Sequence, residues 1–135
     1  MKIAVPVKMN RENPPLAPLF GKAKWFAMIE DGETPKIEIV ENPVHGGKAV
    51  VEWLSGKGID TIIFQEMGES PYHMIKEIGG IKLFHAGNSR ILLSEVLEKM
   101  HHNCFIAVDD SNISEIIAHH EAKHTHRHRN NESEG

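Results

Sequence analysis

The sequence predicts an α/β domain: a mixed, five-stranded sheet with helices on both faces. Three observations carry that expectation. The first third of the chain holds only strand-like runs separated by turn residues. From Gly46 onward, apolar runs of strand length alternate with segments whose apolar residues recur at helical spacing. The length of 135 residues, 40% of them apolar, suits one core that buries about two-thirds of the unfolded surface.

Taken in order, "KIAVPV" (Lys2 to Val7) reads as a buried strand in which Pro6 removes one ladder donor near the end. A loop with two adjacent prolines follows, from Lys8 to Lys22. "KWFAMIED" and "KIEIVEN" are β-rich runs joined by "GETP", a turn signal, and predict an antiparallel hairpin. Alternation of Ile37 and Ile39 with Glu38 and Glu41 leaves one face of its second strand in water. Val50, Val51 and Leu54 then recur at helical spacing, and "GKG" after Ser55 stops that helix. "IDTIIFQ" is a buried strand. "SPYHMIKEIGG" is a helix with Ser70 as the expected N-cap, Pro71 at the first helical position and two glycines to end it. "IKLFHA" is the next strand, and "NSRILLSEVLEKMHH" a third helix capped by Asn88 or Ser89.

The order β-β-β-α-β-α-β-α implies parallel, right-handed crossovers for the helix-linked strands. This resembles a ribonuclease H-like three-layer sandwich. "CFIAVDD" can add a sixth, short strand, and "SNISEIIAHHEAKH" a terminal helix. The folded domain is expected over residues 1–118, with its core in 1–100. Residues 119–135, with five histidines and one apolar residue, read as a disordered, His-rich tail.

Composition excludes several functions. A formal charge of −4 makes no basic field for nucleic acid, and no run approaches the roughly 18 apolar residues of a membrane span. The apolar run at the N-terminus is too short for a signal peptide, so the chain reads as soluble and cytoplasmic. A single cysteine, Cys104, rules out an internal disulfide, a CxxC metal site or a four-thiolate iron–sulfur site within one chain. Neither GxxxxGK[ST] nor GxSxG occurs, and the first strand lacks the carboxylates a two-metal nuclease needs. No enzyme is expected.

Open α/β sheets place ligands at the C-terminal ends of their parallel strands. Four loops are expected to meet there: the Pro-rich loop into Phe20, Gly21 and Lys22; the loop of His45; the loop of Met67, Gly68 and His73; and the loop of His85. Two helix N-termini, after Ser70 and Asn88, would add unsatisfied backbone N–H groups, which favour an anion. Each residue also has a plain reading. His85 suits a partly buried strand end, His73 an exposed first helical turn, Met67 the core, and the glycines loops of positive φ.

The tail histidines His119, His120, His124, His126 and His128 include i,i+4 and i,i+2 spacings that chelate a divalent metal from a helix or an extended chain. Lys123, Arg127 and Arg129 balance Glu121, Glu132 and Glu134, so histidine protonation would make the tail cationic.

"MKIAVPV", the Pro-containing loop, "FGKAKWF", "IVENP", "GIDTIIFQEMG" and "GIKLFHA" occur in an order that resembles the dinitrogenase iron–molybdenum cofactor biosynthesis family. The likeness is to its NifX and NifY type and the C-terminal part of NifB, in a branch outside nitrogenase assembly. It covers roughly Met1 to Met100, and FG-x-A-x-x-F and MG are its most specific parts. It implies a ribonuclease H-like fold and a non-enzymatic role in carrying, storing or assembling an iron–sulfur or molybdenum-containing cluster. Cluster-donor or acceptor proteins are the implied partners, and homo-oligomer formation stays open. Many members place His immediately before Phe-Gly as the favoured cofactor contact, whereas this chain has Leu19 there. His45, His73 and His85 would then substitute, or backbone N–H groups and Lys22 would hold the cluster. Two other readings compete: a metal-ion buffer working through the histidine tail, and a protein-interaction module that uses no metal.

Overall fold

A computed structural model describes residues 1–30 and 32–117. The expected tail, with His119, His120, His124, His126 and His128, lies outside the described residues. The elements are β1 (Lys2–Val7), a 3₁₀ turn (Phe20–Lys22), β2 (Trp25–Glu30), β3 (Lys36–Glu41), α1 (Gly47–Gly56), β4 (Thr61–Phe64), α2 (Glu69–Ile78), β5 (Lys82–His85), α3 (Leu93–His101) and β6 (Ile106–Val108). They form one mixed sheet in the order β3-β2-β1-β4-β5-β6. β1, β4 and β5 run parallel, while β2, between β1 and β3, is antiparallel to both.

The sheet has six strands among the described residues, not the expected five. "CFIAVDD" supplies β6, which pairs antiparallel with β5 from Leu83↔Val108 to His85↔Ile106. The end of α3 makes this reversal. Asn103 takes φ +55°, and the amides of Asn103 and Cys104 donate to the carbonyls of Met100 and Lys99, which closes the last turn and sends the chain back along β5.

Strand alternation divides the interior into two cores. On one side Ala4, Phe26, Ile62 and Phe64 pack with Val50, Val51 and Leu54 of α1 and with Tyr72 and Ile75 of α2. On the other Ile3, Val5, Val7, Ala27, Ile29 and Ile63 pack with Leu93 and Val96 of α3. Helices therefore cover both faces.

Pro6 sits in a central strand, a position its missing N–H normally forbids. Its carbonyl accepts from the Ala17 amide at 2.9 Å, on the side away from β2. In a strand the N–H and C=O of one residue point the same way, so the missing donor faces β4 and leaves the β1–β2 ladder intact. The β1–β4 pairing stops at Ala4↔Ile62, short of Pro6. The Pro-rich loop occupies the opening beyond it: Val7 bridges Leu16, Leu19 bridges Glu66, and Glu66 N–H donates to the Pro18 carbonyl at 2.9 Å.

Two helix starts differ from expectation. α2 begins at Glu69 with Gly68, not Ser70, as its N-cap, so Pro71 falls third, still within the turn whose amides have no intrahelical partner. α3 begins at Leu93, not after Asn88 or Ser89. The Leu93 amide donates to the Pro14 carbonyl at 2.9 Å and the Ser94 amide to Asn13 Oδ1 at 2.8 Å, so the distant Pro-rich loop caps this helix.

The 3₁₀ turn, α1 and α2 meet at two glycines. A Cβ on Gly21 would lie 3.0 Å from the Gly47 nitrogen, and one on Gly47 would lie 2.7 Å from Pro71 Cγ. Phe20 anchors this junction with no exposed surface, edge-on to Phe26 at 5.9 Å, which is itself edge-on to Trp53 at 5.7 Å. Overpacking of this kind costs about 1–3 kcal/mol, so Gly47→Ala should lower the urea midpoint accordingly. Gly56→Ala, where a Cβ meets nothing within 4 Å, should leave stability unchanged or slightly raised.

Residues 113–117 are helical, and Ile113 joins the α1–α2 core. The Tyr72 hydroxyl on α2 donates to Asp110, which also lies 3.9 Å from Lys76 Nζ. Burial first, then the bond to Asp110, pushes the Tyr72 pKa up to about 12 from 10. The folded state thus favours the protonated phenol. That stability is fully present below pH 10 and is lost as pH rises towards 12. Alkaline denaturation should show this fall, and Tyr72→Phe should flatten the pH 10–12 segment while lowering stability at pH 7.

Candidate functional site

The C-terminal ends of β1, β3, β4 and β5 lie on one edge of the sheet, together with the start of β2. Where the Pro-rich loop separates β1 from β4, this edge opens into a cleft of about 330 Å³. Three segments wall it: Leu19, Gly21 and Lys22 from the 3₁₀ turn; Gly46 and Gly47 at the start of α1; and Glu66, Met67, Gly68 and Pro71 between β4 and α2.

Local chemistry fixes each wall. The Phe20 amide donates to the Glu66 carbonyl at 3.1 Å, which ties the turn to the end of β4. Asn42 holds the segment before α1: its amide donates to the Lys24 carbonyl, its Nδ2 to the Ala23 carbonyl at 2.9 Å, and its Oδ1 accepts from the Val44 amide. Gly46 then turns into α1 at φ +91°, a conformation open to glycine.

α1 and α2 both begin at the cleft, and neither N-terminus has a side-chain cap. Each therefore presents first-turn amides and the positive end of its dipole there. Lys22 stands exposed on the rim, Met67 is 1% exposed in the floor, and the Glu66 carboxylate is buried in the wall. The donor set suits an anion with a soft, polarizable surface.

Of the sequence candidates, Gly21, Lys22, Met67 and Gly68 line the cleft together. Phe20 lies beneath them in the core. His45 is exposed beside Gly46 and is not part of the lining. His73 is exposed on the outer side of α2, its Nε2 3.2 Å from Glu69 Oε1. His85 donates from Nε2 to the Gln65 carbonyl at 2.9 Å and borders a separate cavity of about 230 Å³. The expected convergence of three histidines is therefore absent, because residue spacing locates a loop and not the direction of its side chain. Among the described residues, no three His, Cys, Asp or Glu side chains gather to hold a metal. The second helix N-terminus also differs: α1 takes the place expected of α3. The Gly46-Gly47 pair before the first helical run was the signal for it.

The sequence model of the family described as "Dinitrogenase iron-molybdenum cofactor" matches residues 1–103. The chain belongs to this family. An uncharacterized protein of Methanocaldococcus jannaschii is 35% identical over 98 residues, which cover 67% of this chain and 79% of that protein. Two solved structures share the fold of this family member. One is a candidate NifB protein from Thermotoga, 23% identical, with a TM-score of 0.65, covering 78% of this chain and 91% of that one. The other is the apo form of the orange protein from Desulfovibrio gigas, 17% identical, with a TM-score of 0.68, covering 79% and 92%. No helix among the described residues is long and apolar enough to cross a membrane. Family membership associates the chain with the iron–molybdenum cofactor, and Leu19 lies in the cleft wall.

Met67 belongs to both the cleft floor and the α1–α2 core. Met67→Ala should destabilise the fold by about 2–5 kcal/mol in chemical denaturation, and Met67→Leu, which keeps the volume, by less than about 1.5 kcal/mol.

Proposed function

We propose that this chain binds a preformed, anionic metal–sulfur cluster, of the iron–sulfur or iron–molybdenum type, in the cleft between the 3₁₀ turn, α1 and α2. It acts there as a non-enzymatic carrier, store or assembly protein that receives the cluster from one protein and hands it to another. The observation that carries this reading is the pair of uncapped helix N-termini on one cleft, with Lys22 on the rim. An anionic cluster is held there by amide donors and dipoles, while its sulfides rest against Leu19 and Met67. The lining holds no thiolate or imidazole. Retention without a side-chain–metal bond suits a cargo that must leave again, and family membership supports a cluster as that cargo.

Protein purified without oxygen should carry visible absorbance with bound sulfide and iron or molybdenum. A colourless, metal-free product that also fails to take up clusters would overturn the reading. Lys22→Gln should weaken retention several-fold, about what one solvent-exposed charge contributes. Leu19→His should strengthen it by adding a metal ligand at the wall.

A further inference from the structure

We propose that the open sheet face beside α3 is a docking groove for another protein, which enters it as a basic amphipathic helix. The groove shares no lining residue with the cleft, and the inference does not rest on the cluster reading.

The two faces of the sheet are covered unequally. Among the described residues α1, α2 and the helical residues 113–117 pack on one face, while α3 packs on the other. α3 sets Leu93 and Val96 against β1 and β2, and an opening separates it from β3. Alternation in β3 puts Ile37, Ile39 and Glu41 on this face and Glu38 and Val40 on the other, where they border a different cavity. Ile37 is 47% exposed and Ile39 half-buried. The apolar side of this edge strand is thus the side that faces water.

Two cavities, of about 490 and 510 Å³, lie along this opening and share Leu97. Ile37 and Ile39 line the first, and Ile29, Pro35 and Met100 the second. They adjoin where Ile37 pairs with Ile29 across β2 and β3. Together they form one trough with an apolar floor, larger than the cleft, and a polar rim of Arg11, Glu12, Ser94 and Glu98. A contiguous apolar surface with such a rim is the signature of a protein-binding face.

Shape and charge define the occupant. Packed helices lie about 8–10 Å apart, so a helix laid beside α3 would complete this layer as α1 and α2 do on the opposite face. The six residues of β3 span about 20 Å, the length of about 13 helical residues. No described helix of a second copy can supply it. α1, α2 and α3 turn Val50 and Leu54, Tyr72 and Ile75, and Leu93 and Val96 into their own cores, and the outer side of α3 is Ser94, Glu95, Glu98 and Lys99. The rim then selects the sign of the charge. Glu12 and Glu98 line the trough and Glu41 ends β3 on the same face, while Arg11 is the one Lys or Arg among the described lining residues. An acidic rim favours lysine or arginine on the flanks of the incoming helix. Its apolar side chains at i, i+3, i+4 and i+7 would enter between Ile37, Ile39 and Leu97.

Two synthetic helical peptides of about 14 residues test the proposal, each with leucines at i, i+3, i+4 and i+7, one flanked by lysines and the other by glutamates. The full chain should bind the lysine peptide in 1:1 stoichiometry, with shifts in the methyl signals of Ile37, Ile39 and Leu97. At low salt it should bind about tenfold or more tightly than the glutamate peptide. Ile37→Glu should weaken binding about tenfold or more, while Ile78→Glu, at an exposed position on α2, should leave it unchanged. Glu98→Lys should narrow the preference for the lysine peptide several-fold. Absence of saturable binding, equal affinity in Ile37→Glu, or methyl shifts confined to other parts of the chain would overturn the proposal. So would a dimer of the chain alone that Ile37→Glu dissociates, since a second copy would then fill the trough. Should Ile37→Glu fail to fold, the methyl shifts of the wild-type chain and the Glu98→Lys preference decide.

Discussion

The hydrogen bond that Pro6 cannot make shapes the end of the molecule where the cleft lies. A central strand with a proline on its parallel side cannot continue its ladder with β4. The sheet divides there, and the amides and carbonyls exposed on β1 and β4 are satisfied by the Pro-rich loop laid between them. That loop brings Leu19 and Phe20 beside Glu66. Asn13 and Pro14 of the same loop reach the opposite face and cap α3. One absent donor thus couples the cleft, the division of the sheet and the start of a helix.

Four glycines, Gly21, Gly46, Gly47 and Gly68, bring backbone into the lining of the cleft. Gly21 and Gly47 approach closely enough that neither tolerates a Cβ without a shift of its neighbours, and Pro71 seals the contact from α2. Close approach brings two helix N-termini to one opening, where their dipoles reinforce each other. Recognition through amides needs shape more than reactive side chains.

The fold was largely legible because alternation in strands and helical spacing are local signals. Ala4, Ile62 and Phe64 on one face, and Val5 and Ile63 on the other, follow directly from period two. The errors came where a distant segment overrode a local rule. Asn88 and Ser89 are good caps, yet α3 waits until Leu93 because the loop at Asn13 and Pro14 takes its first amides. β6 is only three residues long and forms because the left-handed turn at Asn103 aims it at β5. Of the expected site, Gly21, Lys22, Met67 and Gly68 come together, while His73 and His85 point elsewhere.

By itself the sequence determined the class of fold, the strands that run together, the edge at which their loops collect and the family to which they belong. These depend on periodicity, turn residues and short motifs, all written in neighbouring positions. Tertiary structure alone decided which residues of those loops share a cavity. That choice depends on side-chain direction and on contacts between segments far apart in the chain, such as Gly21 against Gly47 and Gly47 against Pro71. No local spacing encodes contacts of that kind.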